Sequence, residues 1–278
     1  MKPRVMSLVI FTCVVGILIA PAQISFLNSA FSLIAVAIGA GAAGALNQWY
    51  EADLDALMKR TCLRPIPTGK ITKNQALIFG IICSLLSIIL LYFFSNFLSA
   101  SILFITILFY FFIYTIWLKR RTSQNIVIGG AAGAFPPIIG WTIATNSLSF
   151  EPIILFLIIF FWTPSHSWAL ALFKNDDYKN ANIPMLPVVS GIQLTKINIL
   201  IYGVILFAVS LLPFLFNFVG FIYISASIVL GLYYVYLCYV LFLNKTKDND
   251  SIIAKKIFLY SIIYLFLIFL IILLDKFI

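Results

Sequence analysis

The amino-acid sequence predicts an all-α, polytopic integral membrane protein, and three observations lead to that prediction. Of the 278 residues, 63% are hydrophobic and only 10% are charged, with a mean hydropathy of +1.11. A soluble domain of this length does not need so apolar a composition to form its core. Apolar stretches long enough to cross a bilayer, about 20 residues each, recur along the chain, and the basic residues are concentrated between alternate pairs of them.

Nine transmembrane helices are predicted from these apolar stretches. The first stretch follows a basic head and could be a signal peptide, but it approaches spanning length and lacks a small-residue cleavage site, so we interpret it as the first helix. Short gaps separate neighbouring helices at 95–97 and 216–217. The chain is predicted to be a single domain, 1–278, with spans near 5–22, 29–50, 74–94, 98–117, 125–144, 152–172, 197–215, 218–243 and 252–274.

The distribution of charge supports this count of helices. With a cytoplasmic N-terminus, every one of the 18 Lys and Arg residues except Lys276 falls on the cytoplasmic side, as the positive-inside rule requires. Topology and attraction to anionic lipids of the bilayer explain the net charge of +9, so no nucleic-acid partner is implied. The four cysteines are far apart and have neither disulfide nor metal-ligand spacing.

Carboxylates at the cytoplasmic end of the second helix need another explanation, because acidic residues contribute little to orientation. Asn47, Glu51 and Asp55 are four residues apart, so on a continuous helix they form one stripe roughly 12 Å long, which Lys59 would extend by another turn. Asp53 points elsewhere. One amide and two carboxylates are an oxygen-only ligand set that suits a hard cation such as Mg²⁺. The alternative is a solvated helix end with ion pairs such as Asp55 to Lys59.

The second candidate stretch contains His166, the only histidine of the chain. It lies inside an apolar predicted helix, and a buried polar residue in such a segment is by default a functional candidate. Asp177, eleven residues later, returns to nearly the same face of a continuous helix about 16 Å away. Pro164 is expected to kink the helix beside the histidine. The alternative is a histidine that only bonds to a neighbouring helix.

The third stretch runs from the end of the fourth helix into the fifth. Lys119, Arg120 and Arg121 share a membrane face with both acidic stretches, where a diphosphate would need cations, although they also serve as topology signals. Gly129 and Gly133 form a small-residue face that predicts close helix packing.

Taken together, these stretches resemble the intramembrane prenyltransferases, and within them the haem-modifying branch. The resemblance covers nearly the whole chain, from KPRV at 2–5 to DYKNANIPMLPVV at 177–189, and includes N-x-x-x-E-x-x-x-D from Asn47. The motifs typical of the branch are LKRRTSQNIVIGGAAGAFPPIIGW at 118–141, WTPSHSW at 162–168 and the segment at 177–189.

The resemblance implies a bundle of nine helices around a central cavity, open toward the cytoplasmic side of a bacterial inner membrane. It implies Mg²⁺-dependent joining of farnesyl diphosphate to a vinyl group of haem b, with addition of water, and a haem A synthase as a partner that accepts the product. It assigns catalytic roles to Asn47, Glu51 and Asp55, metal binding to Glu51, Asp55 and Asp177, haem binding to His166, and substrate contacts to Lys59, Arg60, Arg64, Tyr114, Lys119, Arg120, Asp177 and Tyr178.

Three positions depart from the pattern of the family. Glu51 stands where the family has aspartate, which keeps the charge and lengthens its reach by one methylene. The second motif of sister enzymes is D-x-x-x-D; counted from Asp177, its second acid would fall at position 181, where this chain has Ala181. Ser167 stands where the family usually has phenylalanine after the histidine.

Two other functions stay open. A prenyltransferase that acts on another aromatic or tetrapyrrole acceptor would share the fold and the metal chemistry but would not need the histidine. A transporter is the other class, but transporters place charges near the midplane and carry internal repeats, whereas here the carboxylates cluster at one rim and no repeat is evident.

Overall fold

The computed structural model describes residues 3–22, 24–59 and 61–277, and within these ranges every regular element is a helix. The all-α prediction is confirmed. The α-helices are α1 (Pro3–Ile19), α2 (Phe26–Tyr50), α3 (Ala52–Leu57), α4 (Lys73–Phe94), α5 (Phe97–Leu108), α6 (Asn125–Ala134), α7 (Pro136–Thr145), α8 (Phe150–Phe173), α9 (Asn175–Asn180), α10 (Leu186–Val189), α11 (Gly191–Ser210), α12 (Leu212–Leu215), α13 (Phe221–Leu243) and α14 (Lys247–Phe277), and a π-helical segment, Phe109–Leu118, directly continues α5.

Each predicted span coincides with a helix or a pair of consecutive helices, and the count of nine is approximate. In the described part of the chain, eight segments are long and apolar enough to cross a membrane, while the apolar part of α1, Met6–Ile19, is shorter. Both short gaps are correctly placed, because Ser95 and Asn96 separate α4 from α5 and a turn precedes α13. Asn96 also caps α5, since its side chain accepts a hydrogen bond from the Ser99 backbone N–H (2.9 Å).

The helices pack as one bundle with buried apolar side chains between them. Helix α2 packs against α4, α1 against α7, and α8 against α6, α11 and α14, while α13 lies between α11 and α14. Pro164 lies inside α8, and the helix is continuous across it. Thus α8 contacts helices from both halves of the chain, which makes it the central wall of the bundle.

One end of the bundle carries the polar connections, and we call it the polar end. Contacts at this end show that the connections lie together: Lys119 pairs with Glu51 (2.5 Å). The buried Lys196, near the start of α11, donates to the Asn244 carbonyl oxygen (2.9 Å) and pairs with Asp250 of α14 (2.5 Å). At the opposite end the Asp275 carboxylate accepts hydrogen bonds from the backbone N–H groups of Gly220 and Tyr223 at the start of α13. The side of the membrane that the polar end faces stays a prediction. The polar connections are 51–72, 119–124, 174–190 and 244–246.

Two glycines allow α1 and α7 to approach each other closely. A Cβ atom on Gly140 would lie 2.0 Å from the Cys13 carbonyl oxygen, and one on Gly16 would lie 2.3 Å from the Pro137 carbonyl oxygen. Backbone atoms cannot move aside as a flexible side chain can, so α1 would have to shift. We therefore expect Gly140→Ala to lower the free energy of unfolding by about 1–3 kcal/mol, measured as the unfolding midpoint of the purified protein in detergent.

Gly133→Ala is the matched control for this prediction. A Cβ atom on Gly133 would meet no atom within 4 Å, and the substitution favours helix formation. Its unfolding midpoint should equal or exceed that of the unchanged protein. Equal midpoints for the Gly140 and Gly133 variants would contradict the close approach of α1 and α7.

Candidate active site

The two carboxylates predicted at the end of the second helix face the interior of the protein. Helix α2 ends at Tyr50, and Glu51 links it to α3, yet hydrogen bonds from Glu51 N to Asn47 O (3.0 Å) and from Asp55 N to Glu51 O (2.8 Å) continue the helical spacing. Asn47, Glu51 and Asp55 are only 1%, 1% and 4% exposed. Asp53 points outward, as expected, with an exposed side chain. The stripe therefore persists across the break.

The predicted extension of the stripe to Lys59 is wrong. Helix α3 ends at Leu57, Met58 has an extended backbone, and Lys59 is exposed. The chain then turns back and brings Arg64 to Asp55, where Arg64 Nη1 donates to both carboxylate oxygens (2.8 and 2.6 Å). The partner of Asp55 is thus a residue nine positions away rather than four. Arg60 lies outside the described residues.

The π-helical segment Phe109–Leu118 forms the wall opposite α2. Its i→i+5 hydrogen bonds include Lys119 N to Tyr114 O (3.0 Å), and π-helical turns are rare and frequently mark functional sites. Side-chain bonds join this wall to the wall formed by α2: Asn47 Nδ2 donates to Thr115 Oγ1 (3.3 Å), and Lys119 Nζ, just after the segment, donates to Oε2 of Glu51, just after α2 (2.5 Å). Asn47 therefore helps to hold the two walls together.

A polar cavity of about 330 Å³ lies between these walls, α6, α8 and the connection 174–190. It contains two carboxylates and two cations in ion pairs whose acidic side chains are almost fully buried. Tyrosine rings and the amide of Asn125 also line it. The polar lining residues are Glu51, Asp55, Thr61, Arg64, Tyr110, Tyr114, Lys119, Asn125, Ser167 and Tyr178, and six apolar side chains complete the wall.

Four of the polar lining residues were not predicted from the sequence: Thr61, Tyr110, Asn125 and Ser167. Asn125 lies in a stretch whose small residues predict only helix packing. An amide at the start of an apolar helix is nevertheless a signal from which a role in the site could be predicted. Tyr110 belongs to the aromatic run FYFFIYTIW, in which nothing distinguishes one ring from the next. Ser167 departs from the phenylalanine usual in the family, and that difference alone does not predict a place in the cavity wall. Gly129 provides space for Tyr114, because a Cβ atom there would lie 2.1 Å from the Tyr114 ring.

Four of the predicted substrate contacts among the described residues lie outside the cavity lining: Lys59, Arg120, His166 and Asp177. Arg120 donates to both oxygens of Asp53 (3.0 and 2.8 Å) on the outer side of α3. Partial burial acts to raise the pKa of the Asp53 carboxyl, but hydrogen bonds from Arg120 and from backbone N–H groups outweigh it, so the pKa lies below its ordinary value. The pair stays ionised and leaves Arg120 facing away from the cavity.

Asp177 lies on a different helix from His166. The prediction that one continuous helix carries both His166 and Asp177 is wrong, because α8 ends at Phe173 and Asp177 lies on the separate short helix α9. The sequence KNDD at this point favours a break, since Asn and Asp side chains compete for backbone hydrogen bonds. Asp177 is half-buried and does not line the cavity, whereas its neighbour Tyr178 does.

His166 lies one residue before the cavity wall at Ser167. Its ring stacks between Trp162 (centroid distance 4.2 Å) and Phe258 of α14 (4.6 Å). The Nδ1 atom is 2.6 Å from Ser261 Oγ, and Trp162 Nε1 donates to the Ser261 carbonyl (2.8 Å). The imidazole is therefore held in a defined orientation between α8 and α14.

An apolar cavity of about 130 Å³ adjoins the polar cavity, and Tyr110 lines both. Small residues form much of its wall, including Gly44 and Gly133, where an added Cβ atom would meet open space. The combined space is thus polar at the polar end of the bundle and apolar deeper in the membrane. Its other lining residues are Met6, Val9, Val36, Gly39, Ala40, Ala43, Leu103, Thr106, Ile107, Ala132, Pro136 and Ile139.

The polar cavity offers oxygen ligands to a hard cation. Glu51 Oε1 and Asn125 Oδ1 are buried and have no hydrogen-bond partner among the described residues, and a buried acceptor without a partner is costly. No group of three or more His, Cys, Asp or Glu residues suited to a metal occurs in the described ranges. Mg²⁺ commonly binds through one or two carboxylates and completes its shell with water and substrate phosphate. The residues present fit Mg²⁺ in that form, through Glu51 and Asp55.

Comparisons with known proteins agree over most of the chain. The sequence model of the UbiA prenyltransferase family matches residues 9–272 of this chain. A relative from Pelagibacter ubique named "Protoheme IX farnesyltransferase" is 62% identical over 276 residues, which cover 99% of this chain and 91% of the relative. A relative of the same name from Parvibaculum lavamentivorans is 50% identical over 276 residues, which cover 99% of this chain and 87% of the relative.

Solved structures share the fold at low sequence identity. A structure described as digeranylgeranylglyceryl phosphate synthase has a TM-score of 0.80 at 18% identity and covers 99% of this chain and 94% of its own. A UbiA homologue from Archaeoglobus fulgidus bound to DMAPP and Mg²⁺ has a TM-score of 0.68 at 16% identity, with 94% and 96% coverage. These likenesses bear on the fold alone.

Proposed function

This chain belongs to the UbiA prenyltransferase family, and from that premise we propose that it transfers the farnesyl group of farnesyl diphosphate to a vinyl group of haem b. The names of the relatives at 62% and 50% identity support haem as the acceptor. The membrane helices and the likeness of the whole chain to those relatives support an intramembrane enzyme of this class.

The observation that carries the proposal is the junction of a polar and an apolar cavity at Tyr110. A prenyl diphosphate has a highly charged head and a long apolar chain, so it needs both environments side by side. The charged head fits the polar cavity, where Arg64 and Lys119 donate hydrogen bonds. The apolar chain fits the cavity lined by Gly44 and Gly133, where no side chain obstructs it.

In the proposed reaction, the residues of the polar cavity stabilise the departing diphosphate. Arg64 and Lys119, which pair with Asp55 and Glu51 in this structure, turn to the diphosphate oxygens and neutralise their charge. Mg²⁺ bound with the diphosphate through Glu51 and Asp55 supplies further neutralisation of the leaving group. Asn125 Oδ1, which has no hydrogen-bond partner within the described part of the chain, accepts a hydrogen bond from a bound water or substrate.

The bond changes balance without a redox partner. The allylic carbon–oxygen bond of farnesyl diphosphate breaks, a carbon–carbon bond forms to the haem vinyl group, and water adds to the resulting cation with loss of one proton. The rings of Tyr110, Tyr114 and Tyr178 line the cavity, where they stabilise positive charge on the allylic carbon and limit the entry of water. His166 binds the haem iron and so positions the acceptor.

The orientation of the polar end is also a proposal. The concentration of Lys and Arg in the polar connections supports a cytoplasmic location for the mouth of the site and for the N-terminus in a bacterial inner membrane. Lys59, Arg60, Arg120 and Asp177 stay proposed substrate contacts, and Asp177 also stays a proposed metal ligand. A haem A synthase stays the proposed partner that accepts the product.

The direct test is product analysis with purified protein in nanodiscs. With haem b, farnesyl diphosphate and Mg²⁺, we expect a haem product heavier by one farnesyl group plus water, and no such product after chelation of Mg²⁺. A parallel reaction with 4-hydroxybenzoate tests the other acceptor class. Prenylated benzoate without a modified haem would overturn the assignment of haem as the acceptor.

A further inference from the structure

Ser261 of α14 forms two hydrogen bonds through a hydroxyl that has only one hydrogen. Its Oγ donates to the Phe258 carbonyl oxygen (2.7 Å), and the same Oγ lies 2.6 Å from His166 Nδ1. A carbonyl oxygen can only accept, so the serine hydrogen is used in the bond to Phe258. The bond to His166 must then be donated by the imidazole, which places a hydrogen on Nδ1.

The environment of His166 favours the neutral imidazole, which has one N–H group. The ring lies inside the spanning helix α8, between Trp162 and Phe258, and forms no ion pair among the described residues. A charge there would be expensive to bury without a partner. With its single hydrogen on Nδ1, the ring carries a lone pair on Nε2.

The Nε2 atom is available to a ligand. Among residues 3–22, 24–59 and 61–277, no hydrogen bond to Nε2 is formed, and the His166 side chain is not fully buried. The bond from Trp162 Nε1 to the Ser261 carbonyl (2.8 Å) fixes the turn of α14 that carries Ser261. Orientation of a histidine through its other nitrogen is typical of histidines that bind metals.

We propose that Ser261 is a positioning residue, which holds His166 in the Nδ1–H tautomer and thereby presents the Nε2 lone pair to the iron of the haem substrate. This inference rests on the proposed function, because it needs haem as the acceptor. The tautomer itself can be measured without haem and without turnover.

The first measurement is a nitrogen NMR spectrum of the full chain with ring-labelled histidine. His166 is the only histidine, so two ring-nitrogen resonances are expected, a protonated Nδ1 and an unprotonated Nε2. We expect Ser261→Ala to give a mixture of tautomers and Ser261→Thr, which keeps the hydroxyl, to restore the single one. Ser165→Ala is the matched control, because Ser165 is a buried neighbour on α8 whose hydroxyl bonds to Tyr234 (2.7 Å). A protonated Nε2 in the unchanged protein, or an unaltered spectrum for Ser261→Ala, would overturn the inference.

The second measurement is a haem titration followed by absorbance. We expect Ser261→Ala to weaken haem affinity about 10- to 100-fold, Ser261→Thr and Ser165→Ala to retain it, and the KM for farnesyl diphosphate to stay unchanged in all three. If His166→Ala loses its affinity for haem and Ser261→Ala does not, the positioning role of Ser261 is wrong while the iron-binding role of His166 stands. If His166→Ala also keeps its affinity for haem, the iron-binding role fails with it, while product analysis still decides the proposed function.

Discussion

Replacing Asp55 with Asn is expected to lower the turnover of prenyl transfer by about 10²- to 10³-fold, the range found when a group that stabilises charge in a transition state is removed. The amide has nearly the shape of the carboxylate, so the fold should persist. It has no negative charge for Mg²⁺, and it cannot hold Arg64 by two charge-assisted bonds. The measurement is kcat in nanodiscs with haem b and farnesyl diphosphate over a range of Mg²⁺ concentrations.

Asp53→Asn is the matched control, because Asp53 lies on the same short helix but faces outward and pairs with Arg120. Its turnover should be close to that of the unchanged protein.

Glu51 provides a second test of the metal site: Glu51→Asp keeps the charge and should retain much activity, whereas Glu51→Gln should not. Near-normal turnover of Asp55→Asn at ordinary Mg²⁺ would exclude the metal role, and equal loss in both Glu51 variants would mean that geometry rather than charge determines the site.

Replacing His166 with Ala is expected to abolish or shift the haem absorption of the purified protein and to raise the KM for haem at least about tenfold. The substitution removes the iron ligand and leaves a gap between Trp162 and Phe258. Arg64 and Lys119, which lie at the polar end, are unaffected. Binding of farnesyl diphosphate should therefore be nearly unchanged.

The reverse pattern would assign His166 a structural role. If the haem spectrum is intact while diphosphate binding is lost, the histidine only connects α8 to α14 and the choice of acceptor is open again. Measurement of the unfolding midpoint beside each titration separates a local loss of haem from general destabilisation.

The helices could be predicted from the sequence because they depend on local composition. Stretches of apolar residues long enough to cross a bilayer, bounded by polar gaps, identify the helices to within a few residues. The inward-facing carboxylates Glu51 and Asp55 follow from the same local logic, since helical spacing of four continues across the break after Tyr50. Local patterns therefore predicted both the fold class and one wall of the site.

Contacts between distant segments could not be predicted in this way. Asp55 pairs with Arg64 rather than Lys59 because the connection after α3 turns back, and no spacing rule describes that turn. His166 and Ser261 are separated by 95 positions, so only the packing of α8 against α14 brings them together. The break that separates Asp177 from α8 likewise depends on competition between side chains and the backbone.

The π-helical segment makes the site sensitive to the pitch of this wall. In an ordinary α-helix each residue turns by about 100°, so Lys119 would lie about 140° around the axis from Tyr114, on the other side of the helix from Glu51. The wider i→i+5 turn is what brings both residues to the same cavity. A return of this segment to the α-helical pitch, with the number of residues unchanged, would turn the Lys119 side chain away from Glu51 and break the pair that joins the two walls. Over these ten residues, the pitch of the helix decides which way Lys119 faces.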